Sequence, residues 1–205
     1  MKNTVVVLSG LFLCAACGSG KEAEPDVLGF LGLKVDAVFS YQVAVGSINQ
    51  TGEMRVVGTD PAYRDGVEAY KMEIRQNNNL IATRWLEVNA QGLFLLGEAA
   101  SEQSQWVERK FETPIKLIPY VADGKLPINW STESALVQGG RETHRFDNQG
   151  QENITVPAGD FQVFHLVHQR TAEGQGGISL DEYFTPGKWY PRFEYPADQV
   201  WSLNP

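Results

Sequence analysis

Apolar and polar residues alternate with a period of two along most of the chain. Phe39, Tyr41, Val43 and Val45 are interleaved with Ser40, Gln42 and Ala44, and Tyr70, Met72 and Ile74 with Lys71, Glu73 and Arg75. That is the pattern of strands with one face buried. Residues 161–168 (FQVFHLVH) are apolar on both faces at several positions, which predicts a central strand covered on two sides. Further strands are predicted over 54–57, 80–88, 93–96, 141–146, 178–184 and 189–195. Turn clusters fall between them: Asn49-Gln50-Thr51-Gly52, Gln76-Asn77-Asn78-Asn79, Asn89-Ala90-Gln91-Gly92, Asp147-Asn148-Gln149-Gly150 and Gly174-Gln175-Gly176-Gly177. No segment carries a helical stripe a dozen residues long, and 98–109 is the one place for a short helix. The predicted fold class is all-β, an antiparallel meander forming a curved sheet, a sandwich or a partial barrel.

Two halves of the chain resemble each other weakly. Phe39-Ser40-Tyr41 answers Trp130-Ser131-Thr132, Gly66 to Tyr70 answers Gly159 to Val163, and Asn89 to Gly92 answers Phe184 to Gly187, at offsets of 91, 93 and 95. Two copies of one β unit (27–113 and 124–205) or chance would both give so few identities. With Pro114, Pro119 and Pro127, residues 112–127 are expected to be the joint, a crossing segment unsuited to a central strand.

The N-terminus departs from this alternation. Lys2 precedes an apolar run over residues 5–14, interrupted only by Ser9 and Gly10 and followed by small residues, the layout of a secretory signal peptide. About ten apolar residues are half of what a spanning helix needs. Leu13-Cys14-Ala15-Ala16-Cys17-Gly18 resembles the lipobox of bacterial lipoproteins, with Cys14 at the position that more often holds Leu. The resemblance implies cleavage after Ala16, acylation of Cys17 with diacylglyceryl and fatty acyl (palmitate-type) chains, and, with Gly18 and not Asp next, residence at the outer membrane facing the periplasm. An ordinary secreted protein cleaved near Ala16, or a short buried apolar segment, is the alternative. Several acyl chains anchor durably, at about 0.8 kcal/mol per buried CH₂. The predicted organisation is a signal peptide (1–16), a lipidated Cys17 with a flexible tether (17–26) and one β domain (27–205). The nine tether residues GSGKEAEPD reach at most roughly 30 Å.

Composition narrows the chemistry. An apolar content of 42% with ten Phe, seven Tyr and five Trp suits a packed domain. Removing residues 1–16, which hold Lys2 and no acid, leaves 16 bases against 25 acids, a formal charge of −9 that argues against a nucleic-acid partner. Both cysteines, Cys14 and Cys17, precede the domain, so it has no disulfide, catalytic thiol or thiolate metal site. His165 and His168 sit three apart on a predicted strand and point to opposite faces, while His144 stands alone and is expected at the surface or core edge. No metal site, catalytic residue or cofactor is expected. There is no G-x-S-x-G, phosphate-cradling loop or H-E-x-x-H. Asp60 and Asp181-Glu182 could converge as paired acids, and residues 147–152 offer calcium-friendly oxygens, but surface acids and a plain hairpin turn are the simpler readings. The acceptor patterns at Asn49, Asn129 and Asn153 are coincidental in a bacterial chain. Trp85, Trp106, Trp130, Trp189 and Trp201 could line a lipid or sugar site, but packing is the simpler reading, with Trp106 expected to be partly exposed.

Ile154-Thr155-Val156-Pro157-Ala158-Gly159-Asp160-Phe161, a strand, and then Tyr183-Phe184-Thr185-Pro186-Gly187 resemble a group of bacterial envelope β-proteins and lipoproteins. In that group a VPAG-x-F turn enters a strand and an aromatic-x-PG turn closes a hairpin. The resemblance extends more loosely to residues 124–130, and Lys188-Trp189-Tyr190 departs from the Gly and Val that tend to follow the PG turn. It implies architecture and no reaction: Pro157 fixes φ, Gly159 permits φ > 0 and Phe161 begins the buried face. The expected function is a non-catalytic, membrane-anchored domain that binds or positions another envelope component, protein or lipid-like. The alternative is a carrier or sensor of an apolar ligand in a concave β surface.

Overall fold

The computed structural model describes residues 26–102, 105–196 and 198–205. The predicted signal peptide, Cys14, Cys17 and the tether as far as Pro25 therefore lie outside the described residues, whereas Asp26, expected in the tether, belongs to the start of the helix. The described residues form one short helix, α1 (Val27–Leu31), and twelve strands. These are β1 (Val38–Val45), β2 (Ile48–Asp60), β3 (Ala69–Gln76), β4 (Asn79–Asn89), β5 (Gly92–Glu102) and β6 (Gln105–Pro119), then β7 (Asn129–Ala135), β8 (Arg141–Val156), β9 (Gly159–Ala172), β10 (Ile178–Thr185), β11 (Trp189–Tyr195) and β12 (Gln199–Leu203). No helix among the described residues is long and apolar enough to cross a membrane.

All twelve strands belong to one antiparallel sheet in the order β6-β5-β4-β3-β2-β1-β12-β11-β10-β9-β8-β7. The all-β meander read from the alternation is thus the observed fold, curled almost completely into a barrel. The chain's first and last strands pair with each other, Val43 opposite Trp201. The sheet edges are instead β6 and β7, which are consecutive in sequence. Five strands lie on each side of the β1–β12 pair, and the segments matched between halves fall on corresponding elements: β1 and β7, the entries to β3 and β9, and the β4–β5 and β10–β11 turns.

The seam between β6 and β7 is zipped mainly by side chains. A single bridge joins Phe111 and Leu136, and Val137 N–H donates to the Lys110 carbonyl at 2.9 Å. Elsewhere β7 side chains satisfy the β6 backbone: Ser134 Oγ accepts from Thr113 N–H (2.9 Å), Thr132 Oγ1 from Lys116 N–H (3.3 Å), and Trp130 Nε1–H donates to the Lys116 carbonyl (3.1 Å). Pro114 lies in this edge strand, where a missing N–H costs no ladder bond.

One end of the barrel is closed by α1. Asp26 caps it by accepting from Gly29 N–H at 2.8 Å, and Gly32 ends it in the left-handed region at φ 69°. Leu31 is fully buried, and Phe30 packs edge-on to Tyr120 (5.3 Å) and against Phe184 (5.6 Å). The Pro186-Gly187 turn docks on the helix: Gly187 N–H donates to the Phe30 carbonyl at 2.7 Å, and a Cβ on Gly32 would fall 2.7 Å from the Gly187 carbonyl carbon. At the other hairpin of the resemblance, Val156 ends β8, Pro157 and Ala158 form the turn, and Gly159 opens β9 at φ 127°. Phe161 is only half-buried, and the buried run begins at Val163.

Several expectations are corrected by tertiary pairing. Residues 98–102 and 105–109 are paired strand residues of β5 and β6 and not a helix, and 112–119 belong to β6, so the joint between halves shrinks to 120–128. Asn49 to Gly52 lie inside β2, because Val45 pairs with Ile48 across a tighter turn. Asp147 to Gly150 lie inside β8, where the extra residue is absorbed as a bulge between Asn148 and Gly150. Strands β7 and β12 and helix α1 carry no pattern that alternation alone reveals.

The seam generates a prediction. Ser134→Ala removes the acceptor of the Thr113 N–H in a part-buried bond, so the urea midpoint should fall by an amount equivalent to about 0.5–1.5 kcal/mol and amide exchange at Thr113 should accelerate. Unchanged exchange there would mean that the seam is closed by other means.

Candidate functional site

The barrel interior is apolar near α1 and charged toward the opposite end. The change follows from the same alternation that builds the strands. On β8, Phe146 faces inward, and two and four residues back so do His144 and Glu142. On β9, Phe164 and Leu166 are followed on the same face by His168 and Arg170, and on β10 Glu182 stands between Leu180 and Phe184. Across the barrel β4 contributes Arg84, β5 Glu98 and β6 Arg109.

Arg170 is the hub. Its guanidinium donates from Nε to Glu142 Oε2 (2.8 Å), from Nη2 to Glu142 Oε1 (3.2 Å) and from Nη1 to Glu98 Oε1. Glu98 also faces Arg84 Nε at 3.5 Å, an ion pair without hydrogen-bond geometry, and Arg109 bridges Glu142 (3.1 Å) and the rim residue Glu102 (2.5 Å). Burial pushes the Glu98 carboxyl up, but the Arg170 and Arg84 charges outweigh it and hold it at about 2. Glu142 is driven up by burial and, more strongly, down by its bonds to His144 and Arg170, for a net lowering.

The two inward histidines extend the cluster into a chain. His144 Nδ1 lies 3.0 Å from His168 Nε2, His168 Nδ1 lies 2.9 Å from Glu182 Oε1, and His144 Nε2 lies 3.4 Å from Glu142 Oε2. His144 is 1% exposed and His168 5%. Phe146 stacks on His168 at 4.0 Å, and Phe111 meets His144 edge-on. His144 is therefore not solitary, as its sequence context suggests, because antiparallel pairing sets it beside Arg170 on β9, two residues beyond His168. Burial, opposed by the bond to Glu142, holds the His144 imidazole below its ordinary range.

Other candidates are dispersed. His165 points outward as expected and bonds Asp181 at 2.7 Å, whereas Glu182 points inward, and Asp60 accepts from Trp85 Nε1 at 3.2 Å, so these acids do not converge. Among the described residues no three metal-ligating groups gather to hold an ion. Trp189 and Trp201 are buried, Trp85 stacks on Tyr63 and Trp130 on Phe146, while Trp106 is 53% exposed, as its polar surroundings predict.

The space left inside the charged end is small. Bounded by Arg84, Glu98, His168, Glu182, Trp189 and Tyr190, it amounts to ≈ 30 Å³, room for about two water molecules. Arg84 Nε and Trp189 Nε1 have no acceptor among the described side chains. A shallower cleft of ≈ 210 Å³ opens outside it at the rim, lined by Glu102, Arg109, Glu142, Arg170 and Gln175.

No family model matches the chain, and no curated protein matches it either. Two solved structures follow a similar course. One is a candidate lipoprotein from Parabacteroides distasonis, 12% identical with a TM-score of 0.44, aligned over 85% of this chain and 96% of the other. The second is a candidate exported protein with a YmcC-like fold from Bacteroides fragilis, 8% identical with a TM-score of 0.46 and the same coverage.

Acid should unfold the domain by a defined route. An unfolded glutamate titrates near 4.3, roughly, so Glu98 at about 2 contributes stability that is complete above that range and lost as pH falls toward 2. His144, lowered from an unfolded value near 6.5, works in the same direction from a higher starting pH. Glu98→Gln should lower stability at pH 7 yet flatten its decline between pH 5 and pH 2 by roughly 3 kcal/mol. Parallel declines in wild type and variant, read from urea midpoints, would contradict this assignment.

Proposed function

We propose that the chain is a membrane-anchored bacterial envelope lipoprotein whose non-catalytic β domain binds or positions another envelope component at the outer membrane, on its periplasmic side. The observation that carries this reading is Cys17 following Ala15-Ala16 at the end of a short apolar run. The fold adds a direction. Asp26, nine residues after Cys17, leads straight into α1 at the apolar, closed end of the barrel. On this reading that end lies toward the lipid, within roughly 30 Å, and the rim carrying Glu102, Arg109 and Gln175 faces away from it.

The filled interior favours docking on the outside over carriage within. An acyl ligand needs a pocket of several hundred Å³, and the enclosed space is ≈ 30 Å³. The converging polar side chains of the interior are tied to one another and nearly inaccessible, which supports a non-catalytic reading.

Cys17→Ser tests the anchor. The wild type should incorporate labelled palmitate and pellet with membranes, and the variant should do neither. Equal partitioning of the two proteins would remove the anchor from the account. A photo-crosslinker at Gln175 should then capture an envelope partner that one at Ile128, at the α1 end, does not.

A further inference from the structure

The chain Glu142–His144–His168–Glu182 has three contacts along it, and each hydrogen bond needs one proton. Two neutral imidazoles and two carboxylates supply only two. With two protons, one of the three contacts sets lone pair against lone pair: His168 Nδ1 against the Glu182 carboxylate at 2.9 Å, ring against ring at 3.0 Å, or His144 Nε2 against the Glu142 carboxylate at 3.4 Å. At these separations no water fits between the partners, so none relieves the repulsion. A third proton satisfies all three contacts at once. Imidazole is a stronger base than carboxylate, so that proton belongs on a ring.

We propose that His144 and His168 share one proton more than two neutral imidazoles hold, making His168 an imidazolium clamped between Glu182 and the bare Nδ1 of His144, and that this proton latches β8, β9 and β10 together. The tautomers follow: His144 Nε2–H donates to Glu142, His168 Nε2–H to His144 Nδ1, and His168 Nδ1–H to Glu182. A neutral His144 agrees with the downward direction imposed on it by burial.

Every charged element packed on the pair is consistent with one added charge. Glu142 and Arg170 face it from β8 and β9, Glu182 from β10, Glu98 and Arg84 from β5 and β4, Arg109 from β6, and Tyr190 and Tyr195 from β11. With Glu102 at the rim, four carboxylates oppose three guanidinium groups, a formal −1 that a single proton cancels. A second proton on the pair would set two imidazolium ions 3.0 Å apart beside Arg170. The device therefore holds one proton, and raising the pH removes it and opens the latch.

The latch does not depend on the membrane anchor. In the mature protein as isolated, labelled with ¹⁵N-histidine, three of the four ring nitrogens of His144 and His168 should be protonated at pH 7, with Nδ1 of His144 bare. A count of two would overturn the proposal, as would stoichiometric Zn²⁺ uptake between the rings. The native state would then carry a proton that the unfolded chain, above roughly pH 6.5, does not, so the unfolding constant should rise by up to tenfold per pH unit above neutrality. His144→Phe should abolish this rise between pH 7 and pH 9, and an equal slope in wild type and variant would refute the latch. Should the variant not fold, the proton count on the wild type still decides.

Discussion

Arg170 ties three walls of one barrel together from the inside. It reaches Glu142 on the neighbouring strand β8 and Glu98 on β5 across the interior, while Arg109 on β6 binds the same Glu142 across the seam. A closed meander of twelve strands encloses a wider interior than eight strands do, and something must fill it. Near α1 the filling is Leu31, Tyr41, Phe184 and Trp201. Toward the other end it is arginine, glutamate and histidine, whose long side chains span the remaining width only by meeting one another. Such groups are tolerable inside because each charge is opposed and most polar atoms are bonded, and removing one member leaves the rest exposed to the full cost of burial.

The unusual place of the seam explains why that network matters. The first and last described strands are joined by the β1–β12 ladder from Tyr41–Leu203 to Val45–Gln199, while the opening lies between β6 and β7, where backbone pairing gives way to hydroxyl, indole and amide side chains. The Arg109–Glu142 pair sits just inside that weaker line. Backbone pairing alone would leave a curved sheet whose two edges meet only around Lys110-Phe111 and Leu136-Val137. The interior charges and the β7 side chains turn it into a barrel.

Much of this architecture is legible in the alternation of residues. Tyr41 and Val43, and Met72 and Ile74, identify inward faces correctly, whereas β9, expected to be covered on two sides, buries Phe164, Leu166 and His168 on its inner face and leaves His165 and Val167 half-buried on the other. What alternation hides is polar residues on an inward face. Glu142 and His144 resemble surface positions until Phe146 fixes the phase of the strand, and Arg170 until Leu166 does. Strand β7, Asn-Trp-Ser-Thr-Glu-Ser-Ala, lacks an apolar face because Thr132 and Ser134 serve the backbone of β6. The turn clusters at Asn49 and Asp147 mislead because long strands absorb them, the second through a bulge at Gly150. The pairing of His144 with His168 depends on the register of β8 against β9, which no local signal specifies.

A double-mutant cycle on Glu98 and Arg170 addresses the interior network most directly. Each single replacement by leucine should destabilise the domain by about 3–5 kcal/mol, because the partner is left charged and buried. The double replacement should cost less than the sum by about 1–3 kcal/mol, since neither charge then remains to be stranded. Additivity within about 0.5 kcal/mol would show that the two charges do not depend on each other, and the barrel would have to be held by its ladders and apolar end alone.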